Sequence, residues 1–172
     1  MIMSNNRETG LEKREEERPH QGELPAELAE FLESVPATVC ETDIFRSLKA
    51  EIARAARYNF LVCLLLLRIV PGCQPLVRSS RDQTCELTHL LDSTIRATDL
   101  LGSVGKGLVA VILPHSDQDT GPRLLERLQT ECLFSAFRRR TACDLRASFS
   151  VYPTDATTLL DLFRVALGRL SS

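Results

Sequence analysis

The sequence has no apolar run near the ~20 residues that a membrane-spanning helix needs. Its longest, Phe60 to Leu67, is strand-sized and stops at Arg68. The stretch from Arg7 to Arg18 is charged, which argues against a secretory signal and for no membrane partner. The six cysteines (40, 63, 73, 85, 132, 143) form no CxxC pair. Cys85 and His89 stand one helical turn apart, half of a zinc site, but nothing nearby supplies the other half. Cys63 lies inside the apolar run, where a free thiol acts as a small hydrophobe. Reduced thiols without a signal imply a cytoplasmic protein. Lysine is scarce, with 3 against 18 arginines. Two readings of that bias stand: a GC-rich coding sequence, or a need for planar forks that suit anionic ligands. No internal repeat is visible.

What is present fits an ordinary globular chain. Of 172 residues, 44% are hydrophobic and 26% charged, enough for one full core. The net charge is −2 but unevenly placed. Residues 1–30 hold eight Glu against three Arg and one Lys, or −4, which leaves +2 for the other 142. That excludes a strongly basic nucleic-acid surface, so no nucleic-acid partner is expected.

Residues 1–23 are polar and lack periodic apolar positions, which predicts a disordered acidic tail. Residues 24–40 read as a short helix and linker. Pro25 suits a first helical position, Leu28, Phe31, Leu32 and Val35 follow at helical spacing, and Pro36 stops the run. The domain proper spans 41–172. A helix capped near Thr42 or Asp43 carries Ile44, Phe45, Leu48, Ile52 and Ala55 on one face. The continuously apolar Phe60–Leu67 predicts a central strand buried on both faces. A helix follows from Asp82 to Arg96, then two apolar runs around Gly105-Lys106-Gly107 that read as a hairpin ended by Pro114. The next helix spans Asp119 to Glu131. Phe134 to Thr141 reads as a basic loop or edge hairpin. Leu145, Ala147, Phe149 and Val151 alternate with polar residues as a strand, and the last helix carries Leu159, Leu160, Phe163, Ala166, Leu167 and Leu170. From Phe60 the order is β-α-β-β-α-β. This predicts an α+β, ferredoxin-like core, an antiparallel sheet with helices on one face.

One segment is more specific. Arg96-Ala-Thr-Asp99-Leu-Leu-Gly-Ser-Val-Gly105-Lys-Gly-Leu-Val109-Ala-Val-Ile-Leu-Pro114 resembles the GGDEF domain of diguanylate cyclases. In that family an RxxD element ends the second helix. A Gly-Gly-(Asp/Glu)-Glu-Phe hairpin follows five residues later, then an apolar strand closing in Leu-Pro. Arg123-Leu-Leu-Glu-Arg127-Leu, Ser148-Phe-Ser-Val-Tyr-Pro153 and Glu51-Ile-Ala-Arg54-Ala-Ala-Arg57-Tyr are similar to its flanking elements. The resemblance covers about residues 41–170, and the family's final strand has no counterpart before Ser172.

The departures fall at the catalytic centre. The signature turn reads Gly105-Lys106-Gly107-Leu108-Val109, without its acidic positions. Where the family's first strand ends in Asp-x-Asp, a magnesium ligand among them, this chain has Arg68 and Val70. The family's guanine-binding Asn and Asp also lack counterparts, with Arg81 where the Asp would fall. Phosphodiester synthesis on a triphosphate needs carboxylates to hold divalent metal. The resemblance therefore implies a degenerate domain, not an enzyme, with no catalytic residues, no cofactor and no magnesium.

The RxxD element is intact. In the family it is an inhibitory site that binds cyclic di-GMP. The resemblance makes Arg96 and Asp99 candidate ligands, with Arg127 on the neighbouring helix and Arg54 reaching in from a second domain, which leaves room for a homodimer. The chemistry suits the residue types, since arginine offers a planar fork to guanine O6/N7 or phosphate. The plainer readings also stand: Arg96 as a surface charge at a helix terminus, Arg127 as a solvated charge beside Glu131, Arg138–Arg140 as a solvated loop, and Lys106 as part of a plain turn. The expected function is a catalytically inactive cyclic di-GMP receptor. The competing class is a nucleotide-independent interaction module with an unidentified protein partner.

Overall fold

The computed structural model describes residues 39–72, 79–105, 107–130 and 133–171. The acidic tail, the helix expected before Pro36 and Lys106 lie outside the described residues. The order is α1 (Val39–Tyr58), β1 (Leu61–Pro71), α2 (Ser80–Asp92), β2 (Leu100–Gly105), β3 (Leu108–Ser116), α3 (Thr120–Thr130), α4 (Leu133–Thr141), β4 (Cys143–Tyr152) and α5 (Leu159–Ser171). The strands form one antiparallel sheet in the order β2-β3-β1-β4. This is the α+β, split-βαβ arrangement expected from the sequence. No helix among the described residues is long and apolar enough to cross a membrane.

The sheet is covered on both faces, not on one. Val62, Leu64 and Leu66 of β1 pack with α1 and α5, through Ile44, Leu48, Leu162, Phe163 and Ala166. Cys63, Leu65 and Leu67 pack on the other face with α2, α3 and α4, through Leu87, Leu91, Leu124, Leu128 and Phe137. The expectation of single-face cover conflicted with the unbroken apolar run of β1. A central strand with apolar side chains up and down needs two covers.

Four local expectations need correction. α1 starts at Val39, ahead of the caps expected at Thr42 or Asp43 and inside the stretch expected as linker. Phe134 to Thr141 is helical, because Leu133, Phe137 and Thr141 recur at four-residue intervals and are all buried. Arg138–Arg140 masked that stripe, since they occupy the exposed side of its last turn. The strand around Pro114 continues to Ser116: the β1–β3 register slips between Leu61/Ser116 and Cys63/Leu113, and the bulge takes up Pro114 and His115, the latter at φ 51. α2 stops at Asp92, four residues short of Arg96. There the Ser93 and Thr94 hydroxyls both donate to the Leu90 carbonyl, at 2.9 and 3.0 Å.

Two glycine positions are forced by geometry. Gly105 and Gly107 sit at φ 103 and 73 in the β2–β3 turn, where a side chain would be strained. At Gly102 a Cβ would lie 2.9 Å from that of Ile44, so α1 can lie on β2 only because glycine is there.

β4 and α5 are joined by polar contacts. The buried Ser148 and Ser150 hydroxyls donate to the carbonyls of Ala166 and Leu162, at 2.6 and 2.9 Å. Arg169 donates to both carboxylate oxygens of Asp155, at 2.8 and 3.1 Å, and to the Phe149 carbonyl at 2.7 Å. Arg169 holds the Asp155 carboxyl below the usual carboxylate range, helped by the Val151 amide. A lowered folded-state value means the bond stabilises above the ordinary Asp range, near ~3.9, and is lost as pH falls through the lower folded value. Asp155→Asn should cost about 1–3 kcal/mol at neutral pH and shrink the acid-side loss of stability, read by urea melts between pH 3 and pH 7.

Candidate functional site

The Arg96–Asp99 segment is a tight turn leading into β2, not a helix end. The Arg96 amide donates to Asp99 Oδ2 at 2.8 Å, and the Asp99 amide donates to the Arg96 carbonyl at 3.0 Å. The aspartate fixes the turn with one oxygen. Arg96 is exposed, and its guanidinium makes no hydrogen bond or ion pair to any described residue.

α3 lies beside this turn. Arg127, half-buried on its last turn, donates from Nη2 to the Thr94 carbonyl at 2.5 Å. That bond ties the α2–β2 connection to α3 across 33 residues of sequence. Part of Arg127's donor set thus positions the turn, while Glu131, expected beside it, lies outside the described residues.

Arg96, Asp99 and Arg127 line one cleft of about 220 Å³, with Leu113 and Leu124 as its apolar wall. Arg123 also lines it and was not singled out by sequence reasoning. The available signal was its position four residues before Arg127, on the same helix face. Arg123 reaches Asp119 at 3.3 Å and Asp117 at 3.7 Å. The Thr120 hydroxyl, followed by Arg123, holds the Asp117 carboxyl below its ordinary value. Arg96 and Asp99 also border a larger hollow of about 710 Å³, whose other wall includes Asp43 and Ser47 of α1.

Arg54 is not brought to this place. It lies on α1 seven residues beyond Ser47, about 10 Å further along the axis. Its Nη1 pairs at 2.6 Å with Glu51, whose side chain is buried.

The glycine-turn end of the sheet has a different character. Arg68 on β1 lies opposite Leu108 on β3, and the Ile69 amide donates to the Gly107 carbonyl at 2.7 Å. This end does not fit a divalent cation. β1 presents Arg68 and Val70 there, β4 presents Arg146, and the carboxylate of Asp144 is held by Arg138. Among the described residues no group of three His, Cys, Asp or Glu could hold a metal ion.

No family model matches the sequence, and no curated protein matches it. Solved structures do match. The chain aligns with a DGC protein of Thermotoga maritima at 14% identity and TM-score 0.57, over 76% of this chain and 91% of that one. The GGDEF domain of YfiN (TpbB) from Pseudomonas aeruginosa aligns at 16% and 0.58, over 80% and 89%. The GGDEF domain of DgcB from Caulobacter crescentus, solved in complex with c-di-GMP, aligns at 14% and 0.56, over 76% and 82%. The chain thus has the GGDEF-domain fold.

Arg127→Ala should release the 94–99 turn while the fold persists. A charged hydrogen bond contributes about 1.5 kcal/mol or more, so amide exchange of Ile95 to Asp99 should quicken roughly tenfold. Arg96→Ala should leave that exchange unchanged, because its guanidinium holds no described residue.

Proposed function

We propose that this GGDEF-fold signalling domain makes no cyclic di-GMP but binds it, through Arg96 and Asp99 with Arg127. The observation that carries this reading is the convergence of the three on one cleft, where the Arg96 donor fork is committed to no described residue. A phosphate or a guanine Hoogsteen edge fits such a fork. The second Asp99 oxygen can accept from the guanine N1–H and N2–H edge, and Leu113 and Leu124 offer the base an apolar surface. Arg123 joins the set as a further cation. Arg54 takes part only from a second copy of the domain. The DgcB structure holds the same ligand on the same fold, which makes it the first candidate to test. The absence of synthesis follows from the residues at the glycine turn, where Arg68, Gly107 and Leu108 stand in place of carboxylates.

The test is calorimetric titration with cyclic di-GMP, with GTP as control. Removing Arg96 from a desolvated pairing should cost roughly 2–5 kcal/mol of binding. A micromolar complex is held by only about 8 kcal/mol, so Arg96→Ala should bind beyond a measurable range. As an exposed side chain it should cost the fold no more than about 0.5 kcal/mol. Asp99→Asn is the better second variant, because the amide oxygen can still accept from the Arg96 amide and hold the turn. It should weaken binding while circular dichroism stays unchanged. No binding by wild type at about 100 μM ligand, near 5.5 kcal/mol, sinks the receptor reading and leaves an interaction module. Formation of cyclic di-GMP from GTP and magnesium would refute the absence of synthesis.

A further inference from the structure

β4 ends the sheet, and among the described residues no strand pairs with its outer edge. Contacts at its two ends fix which residues turn their backbone outward. The Val151 amide donates to Asp155 Oδ2 at 2.8 Å, and the Val151 carbonyl accepts from the Asp155 amide at 2.7 Å. The Phe149 carbonyl accepts from Arg169, and the Cys143 amide donates to the Thr141 hydroxyl at 3.2 Å. Along a strand, alternate residues direct their amide and carbonyl to the same side. Leu145 and Ala147 therefore point theirs outward as well. The edge is stoppered by Arg169 and Asp155 at one end and by Thr141 at the other, and is open between. Open edge groups of this kind template a further strand.

The open stretch carries two opposite charges. Asp144 and Arg146 lie two residues apart, so they share a face. Arg146 is exposed and forms no hydrogen bond or ion pair with a described residue. Its cross-strand neighbour on β1 is Arg68, a like charge, which destabilises the sheet unless a carboxylate comes near. Asp144 gives its ion pair to Arg138 instead, which binds Oδ1 through Nε and Nη2. Asp144 Oδ2 has no partner among the described residues, and the side chain is 43% exposed.

We propose that the edge of β4 pairs antiparallel with β4 of a second copy, about a two-fold axis at Leu145. A two-fold pairing through the outward residues can centre on Leu145 or on Ala147. Centred on Leu145, it sets Arg146 of each copy opposite Asp144 of the other, and symmetry makes the ion pair twice. The Arg146 fork meets the unused Oδ2, and Arg68 gains a nearby counter-charge. Centred on Ala147, it would set Arg146 opposite Ser148, whose hydroxyl already donates to the Ala166 carbonyl. Charge thus selects Leu145. The two Leu145 residues then exchange backbone bonds, and each Ala147 amide donates to the Cys143 carbonyl of the other copy. The RxxD turn leads into β2, the opposite edge, three strand spacings or about 14 Å away. The contact leaves the cyclic di-GMP cleft untouched.

The test is sedimentation velocity of the full chain without nucleotide, in about 50 mM salt so that exposed ion pairs are weakly screened. Wild type should pass from monomer to dimer as its concentration rises to about 1 mM. Arg146→Asp sets carboxylate against carboxylate, and Asp144→Arg sets guanidinium against guanidinium. Each variant alone should stay monomeric. An equimolar mixture of the two should dimerise, because every reversed charge then faces its opposite. The double variant should dimerise as wild type does, and circular dichroism reports the folding of each. Amide exchange reads the register: Leu145 and Ala147 should slow roughly tenfold from dilute to concentrated protein, and Phe149 should not. Arg96→Ala should dimerise like wild type, which separates this edge from the cyclic di-GMP reading. A wild type that is monomeric at about 1 mM would overturn the proposal. So would a dimer that survives either charge reversal, a mixture of folded variants that stays monomeric, or protection centred on Phe149.

Discussion

A strand with apolar side chains on both faces must be covered twice, and the rest of the molecule follows from that. Val62 to Leu67 of β1 are six consecutive residues with no measurable exposure. Each buried leucine contributes about 1.5–3 kcal/mol, so neither face can be left to water. α1 and α5 take one face, and α2, α3 and α4 take the other. With both faces closed, polar chemistry is confined to the two ends of the sheet and the loops there. At one end the RxxD turn meets α3. At the other the glycine turn sits beside paired arginines.

The arginines divide by what they hold. Several secure the fold: Arg169 locks α5 to β4, Arg127 anchors the turn before β2, and Arg138 and Arg140 fasten α4 to Asp144 and Glu86. Arg96, Arg68 and Arg146 hold no described residue. Those three fall at the two open ends, where a guanidinium with no partner among the described residues can meet an anion from outside. A bias towards arginine over lysine in the sequence does not distinguish these roles. The partner of each guanidinium does.

Much of the fold was legible from residue periodicity. The apolar run of β1, the Gly-x-Gly hairpin and the alternation of β4 each carry a local signal that tertiary packing agrees with. Where reading failed, a second signal overrode the first. The three arginines of α4 hid a stripe of Leu133, Phe137 and Thr141. Pro114 suggested a stop, but a bulge absorbed it. The end of α2 was overrun because Ser93 and Thr94 turn back on Leu90, a side-chain preference that periodicity does not register. The cleft was legible in part. The spacing of Arg96 and Asp99 pointed to it, but the tie from Arg127 to Thr94 spans elements far apart in sequence. The opposition of Arg68 and Arg146 depends on strand register, which one strand's sequence cannot supply.

The central claim is that the anion-binding end for cyclic di-GMP is the turn between α2 and β2, not the glycine hairpin. Amide chemical-shift mapping by NMR during a cyclic di-GMP titration tests it most directly. The account predicts saturable shifts at Thr94 to Leu101 and at Asp117 to Arg127, with Gly105, Gly107 and Arg68 unmoved. Shifts centred on the hairpin and the end of β1, or none anywhere, would contradict it.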